Sequence, residues 1–87
     1  GKGESNVTYG LEQVEKAAEC GAVDKLVLAA TALRRFEDEK RLKVEEIMST
    51  VEKKGGGTTM IVSTEHEAGS KLLALGGIAA LLRFPVQ

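Results

Sequence analysis

The sequence has no tryptophan, one tyrosine, two phenylalanines, one cysteine and one proline. So few rings exclude the aromatic stacking platform on which single-stranded nucleic acid is commonly held. The lone Cys20 excludes an internal disulfide and a cysteine-cluster zinc site, and it fits a reducing compartment. No apolar stretch approaches the roughly twenty residues that span a bilayer, and the amino end, Gly-Lys-Gly-Glu-Ser-Asn, has no basic-then-apolar signal pattern. These absences point to a soluble, cytoplasmic protein. Charge of one sign is also lacking: 12 basic and 13 acidic residues give a formal net charge of −1, so any phosphate contact must come from a local patch.

What is present is an ordinary aliphatic composition, 43% hydrophobic and 29% charged over 87 residues, enough for one core and one domain. The polar, glycine-containing residues 1–6 read as a linker or disordered start. Residues 7–87 read as a single α/β domain, one part of a longer protein.

From Val7 the pattern is helical, with Leu11, Val14, Ala17 and Ala18 three or four residues apart and Gly21 at the left-handed cap position. The continuous run Lys25-Leu-Val-Leu-Ala-Ala30 predicts a strand buried on both faces. Thr31 to Lys43 reads as a polar, charge-dense connection. A one-sided helix follows on Val44, Ile47, Met48 and Val51, ended by Gly55-Gly56-Gly57. Thr58 to Ser63 is β-branched and predicts a second strand. Thr64-Glu-His-Glu67 reads as a capping box opening a third helix whose apolar positions are Ala68, Leu72 and Leu75. After Gly76-Gly77, the apolar run Ile78 to Phe84 predicts a third strand. The order α-β-α-β-α-β implies a three-layer α/β/α sandwich around a small mixed or parallel sheet of three to four strands, with the first two of these strands parallel.

Candidate chemistry is sparse. His66, between Glu65 and Glu67, lacks the second histidine that a zinc-enzyme spacing requires, and capping accounts for it. Cys20 follows an apolar helix face and reads as a small buried hydrophobe. Lys53-Lys-Gly-Gly-Gly-Thr-Thr59 has the reverse polarity of a phosphate-cradling loop, since a helix leads into a strand, and reads as a turn. Arg34-Arg35-Phe36 is a basic cluster beside an aromatic, but Glu37, Asp38 and Glu39 follow at once, as in a solvated loop. No nucleophile, base and oxyanion site assemble, so the domain is expected to be no enzyme and to hold no metal.

Arg83 interrupts the last apolar run. An unpaired cation inside a sheet costs several kcal/mol, roughly, so its guanidinium must emerge at the rim while its stem lies on apolar surface. Two uses are open: an internal pairing with a carboxylate, or an Arg–aromatic pair with Phe84 presented to a partner.

Tyr-Gly-Leu-Glu at Tyr9, Gly-Ala-Val at Gly21 and Gly-Gly-Ile-Ala-Ala-Leu-Leu-Arg-Phe-Pro from Gly76 occur together and in order. With these motifs the chain resembles the carboxy-terminal domain of the Pelota family of ribosome-rescue proteins and, more distantly, the third domain of class-one translation termination factors. The resemblance implies an α/β/α sandwich related to ribosomal proteins that bind kinked RNA. It also implies a non-catalytic domain that docks an elongation-factor-1-alpha-type GTPase and contacts the ABC-family ATPase that splits ribosomes, within a factor acting in no-go decay and messenger surveillance. It implies no cofactor for this domain; the divalent metal and endonuclease activity claimed for the family belong to an amino-terminal domain outside this chain. On the resemblance, the partner-binding residues are Tyr9, Leu81, Arg83 and Phe84. The alternative is kink-turn RNA binding through Arg34, Arg35, Lys40 and Arg41. In the related RNA binders recognition depends on a loop and helix start rich in Asn, Glu and basic residues next to a glycine, a pattern with no match here.

Overall fold

The continuous run that starts at Lys25 becomes one of the two inner strands of the sheet. In the computed structural model, which describes residues 6–84, the elements are β1 (Val7–Tyr9), α1 (Leu11–Glu19), β2 (Val23–Ala29), α2 (Ala30–Arg35), α3 (Asp38–Gly55), β3 (Thr58–Val62), α4 (Glu67–Ala74) and β4 (Ile78–Leu82). The sheet order is β1-β4-β2-β3. β2 runs parallel to β3, with Val27 opposite Met60, and antiparallel to β4, with Val27 opposite Ala79. β1 lies antiparallel on the outer side of β4, with Tyr9 opposite Ala79. The sheet is therefore mixed and four-stranded, with the expected parallel pair at β2 and β3.

The two faces are unequally filled. On one, α1 and α3 pack on each other and on the sheet, joining Val14, Ala17, Val44, Ile47 and Val51 to Leu26, Leu28, Ile78 and Ala80. Burying each large aliphatic side chain here stabilises by about 1.5–3 kcal/mol, so most of the fold's cohesion lies on this face. On the other, Ala32 of α2 and Leu72 of α4 form with Ala29 and Ala79 a small buried cluster, against which Val27, Phe36, Val62 and Leu73 are partly buried. Three alanines and a leucine make a thin layer.

Several expectations need correction. Val7–Tyr9 is a strand rather than the approach to a helix; three residues are too few to show an alternation, and the pairing with β4 is what holds them. The stretch 31–43 is not a plain connection, since it contains most of α2 and the first turn and a half of α3. Its charged residues face solvent, so helical backbone forms without an apolar stripe to announce it. The capping box does not form. The Thr64 hydroxyl is 2.6 Å from that of Thr31, Ser63 Oγ accepts from the Glu65 N–H at 3.1 Å, and α4 starts later with His66 at its N-cap. The last strand stops at Leu82, short of Phe84. Cys20 is exposed rather than buried, because it is the residue after α1, beyond the last turn of its apolar face.

The triple glycine ends α3 as expected. Gly56 takes the left-handed conformation at φ 64° and donates its N–H to the Glu52 carbonyl at 3.2 Å, while the Gly57 N–H donates to the Val51 carbonyl at 3.0 Å. Gly57 is needed for a different reason: a Cβ there would stand 2.6 Å from the Val23 carbonyl oxygen and 2.8 Å from Val51 Cγ1. Lys54 donates from Nζ to the Glu19 carbonyl at 3.1 Å, which ties the end of α3 to the end of α1.

Of the expected linker, only Asn6 is described: its carbonyl accepts from the Leu82 N–H at 2.7 Å, continuing the pairing of β1 with β4. Residues 1–5 and 85–87, Pro85 among them, lie outside the described residues. Among the described residues no helix is long and apolar enough to cross a membrane.

Candidate docking surface

Alternation along the strands decides which side chains share the thinly covered face. The pairings Val7 with Leu81, Tyr9 with Ala79, Ala79 with Val27 and Leu81 with Lys25 place these residues on one side of the sheet. α4 begins at the carboxy end of β3 and ends where β4 begins, so it crosses one end of this face and leaves the other uncovered. The result is a groove of about 370 Å³. Its floor is Val7, Tyr9, Val27, Val62, Ala79 and Leu81, and its wall is the side of α4 carrying Ala68, Lys71, Leu72 and Leu75.

The groove is apolar and open. Tyr9 is 46% exposed, Leu81 39% and Leu75 50%. A cluster of large apolar side chains left in water on one face of a small domain is the usual mark of a protein-binding site.

The four residues expected to meet a partner are thus divided. Tyr9 and Leu81 come together on the groove floor. Arg83 and Phe84 follow β4 and do not line it; both are exposed. The Arg83 guanidinium donates to the Val23 carbonyl at 3.3 Å and stands 3.6 Å from the Asp24 carboxylate, while its side chain keeps 39% of its surface. Its main-chain N–H donates to Ala22 at 2.8 Å. The arginine is thus paired within the chain and still emerges at the rim.

The basic residues sit elsewhere. Arg34 and Arg35 occupy the last turn of α2, and Lys40 and Arg41 the start of α3; all four are exposed. Arg41 pairs with Glu45 at 3.8 Å, and Glu37, Asp38 and Glu39 lie between the two basic pairs. Phe36, the aromatic beside them, is half-buried and packs toward the core instead of outward. Among the described residues, no three His, Cys, Asp or Glu side chains are grouped so as to hold a metal ion.

The part of the site that sequence reasoning missed is the wall. Ala68, Leu72 and Leu75 carry a legible apolar period, but only Leu72 goes into the core. No signal in the period distinguishes a stripe that meets the chain's own core from one that meets a groove.

A mixed four-stranded sheet between two helical layers is the architecture of a termination-factor-like α/β domain. The family model described as eRF1 domain 3 matches residues 1–86, and the chain belongs to that family. Among curated relatives, the Pelota homologue of Methanocaldococcus jannaschii is 46% identical over 79 residues, covering 91% of this chain and 21% of the relative. That of Thermococcus onnurineus is 51% identical over 81 residues, covering 93% and 22%. Among solved structures, Saccharomyces cerevisiae Dom34, a translation termination-like factor involved in RNA quality control pathways and interacting with Hbs1, matches with a TM-score of 0.84 at 36% identity, over 93% of this chain and 22% of that one. A ribosome-bound archaeal Pelota, described with ABCE1, matches with a TM-score of 0.80 at 46% identity, over 99% and 23%. An archaeal termination factor, aRF1, matches with a TM-score of 0.66 at 31% identity, over 95% and 21%. The resemblance to the carboxy-terminal domain of Pelota holds in sequence and in fold. The chain spans about a fifth of the length of the relatives it matches.

Proposed function

We propose that this chain is the non-catalytic interaction domain of a Pelota-like ribosome-rescue factor. It docks an elongation-factor-1-alpha-type GTPase and, later in the same process, a ribosome-splitting ABC ATPase in the cytoplasm, and it needs no cofactor of its own. The observation that carries this reading is the exposed apolar surface around Tyr9 and Leu81, on a domain whose relatives act with protein partners. Tyrosine and arginine are among the residue types most often found as binding anchors; Tyr9 lies on the groove floor opposite Ala79, near the start of β4, and Arg83 is exposed past the other end of that strand. The relatives support the choice of partners: yeast Dom34 interacts with Hbs1, and an archaeal Pelota is known bound to the ribosome with ABCE1.

Calorimetric titration of the chain with a GTP-loaded GTPase of this type tests the reading. Tyr9→Ala is expected to weaken binding by about 1–3 kcal/mol, as for an interface anchor, with the fold intact. Absence of binding by the unaltered chain overturns it.

A further inference from the structure

α4 carries an apolar stripe that the chain itself only half covers. Ala68, Lys71, Leu72 and Leu75 are spaced i, i+3, i+4 and i+7 on one helical face. Leu72 is buried on the sheet, whereas Ala68 and Leu75 are exposed above the groove. The opposite layer has two helices packed together, α1 and α3; this one has α4 and the six-residue α2. From β1 to β2 the open floor spans two inter-strand spacings, about 10 Å, which is also about the diameter of a helix with its side chains. Among the described residues this layer has room beside α4 for one more helix.

The chemistry of the margins narrows what can fill it. A metabolite pocket brings several polar groups to converge on its ligand; here the lining offers only the Tyr9 hydroxyl and the Lys71 ammonium. Lys71 meets Glu67 at 3.5 Å, but both side chains are more than 70% exposed, so the pairing is weak. Lys25 joins the same face through its pairing with Leu81. Among the described residues the interior is aliphatic, and the margins carry Lys71, with Glu67 beside it, and Lys25 beyond the lining, one cation more than anions. A second copy of this chain would bring the same lysines against them, and an added strand would pair at the edge of β1, not over the floor.

We infer that the groove receives an amphipathic helix from a partner protein, laid beside α4, with an aliphatic ridge on the sheet and acidic residues toward Lys71 and Lys25. This rests on the reading of the face as a docking surface and names its occupant.

The test uses two synthetic helical peptides with leucine at i, i+3, i+4 and i+7, one flanked by glutamates and one by lysines. Each is titrated into the isotope-labelled chain while the amide resonances are followed. The glutamate peptide is expected to give saturable shifts at Leu72, Leu75, Ala79 and Leu81, and the lysine peptide to bind about tenfold more weakly, equivalent to about 1.4 kcal/mol. Leu75→Glu, at an exposed site whose intact fold the same spectrum reports, is expected to weaken the glutamate peptide at least about tenfold. Lys71→Glu is expected to narrow or invert the preference between the peptides. No saturation with either peptide at millimolar concentration, equal affinity for both, or shifts confined to other faces overturns the inference. The two readings separate cleanly: a GTPase that binds while the peptides do not leaves the docking domain standing without the helix site, and the opposite result removes the GTPase alone.

Discussion

The Arg83 guanidinium stands 3.6 Å from the Asp24 carboxylate, and the two side chains retain 39% and 66% of their surface. A pair this open contributes about 0–1 kcal/mol to stability. Asp24→Asn is therefore expected to leave the thermal midpoint nearly unchanged. Arg83→Ala, which also loses the bond to the Val23 carbonyl, is expected to destabilise by about 1 kcal/mol. If Arg83 is a partner anchor, the same substitution weakens GTPase binding by about 1–3 kcal/mol. Denaturation and calorimetry on the same variants separate the two effects, and a loss of stability with unchanged affinity returns the arginine to a structural role.

The close packing at Gly57 gives a sharper stability prediction. A methyl group there meets the Val23 and Asp24 carbonyl oxygens and Val51 Cγ1, all at 2.9 Å or less, so α3 and β2 must part. Gly57→Ala is expected to destabilise by about 1–3 kcal/mol, which for a domain of this size lowers Tm by roughly 5–20 °C. Gly56→Ala, in open space but at positive φ, is expected to lose about 1 kcal/mol through backbone strain alone. Thermal unfolding followed by circular dichroism checks the order of the two.

Cys20 is exposed at the end of α1, so the folded chain is expected to react fully with a disulfide reagent under native conditions, at a rate near that of the unfolded chain. Protection until denaturant is added contradicts this placement. The residue cautions against reading burial from sequence at a helix end. Val14, Ala17 and Ala18 lie on the inward face and are buried, and Cys20 follows the same helix, but the chain has already turned at Gly21.

The same contrast runs through the fold. β2 was legible because its run is continuous, and α3 because Val44, Ile47 and Val51 repeat on one face. β1 and α2 were not, since three residues show no period and Arg34 and Arg35 point to water whether or not the backbone is helical. Nor was the sheet order, because the insertion of β4 between β1 and β2 is a choice among distant pairings. Tyr9 and Leu81 could be singled out by resemblance, but only the register showed that they share one floor with Val27 and with the wall of α4.

Ionic strength distinguishes protein docking from contact with RNA. Replacing Arg34, Arg35, Lys40 and Arg41 together by alanine is expected to leave GTPase affinity unchanged, since these residues lie on the α2–α3 junction away from the groove. Raising salt from 50 to 200 mM is expected to weaken docking by less than about tenfold, whereas six to ten phosphate contacts lose about 10³–10⁵ over that range. A slope of the second kind, abolished by the fourfold substitution, makes the domain an RNA binder instead.

β1 and β4, far apart in sequence, are laid side by side in opposite directions, so that Asn6 and Leu82 meet at one end of the sheet. A load drawn through both points runs across the rungs rather than along them and parts the strands one rung at a time, like a zip. The module is thus mechanically soft where the polypeptide enters and leaves it. Its floor shares that seam, so force applied there takes apart the apolar groove before it reaches the helices behind the sheet.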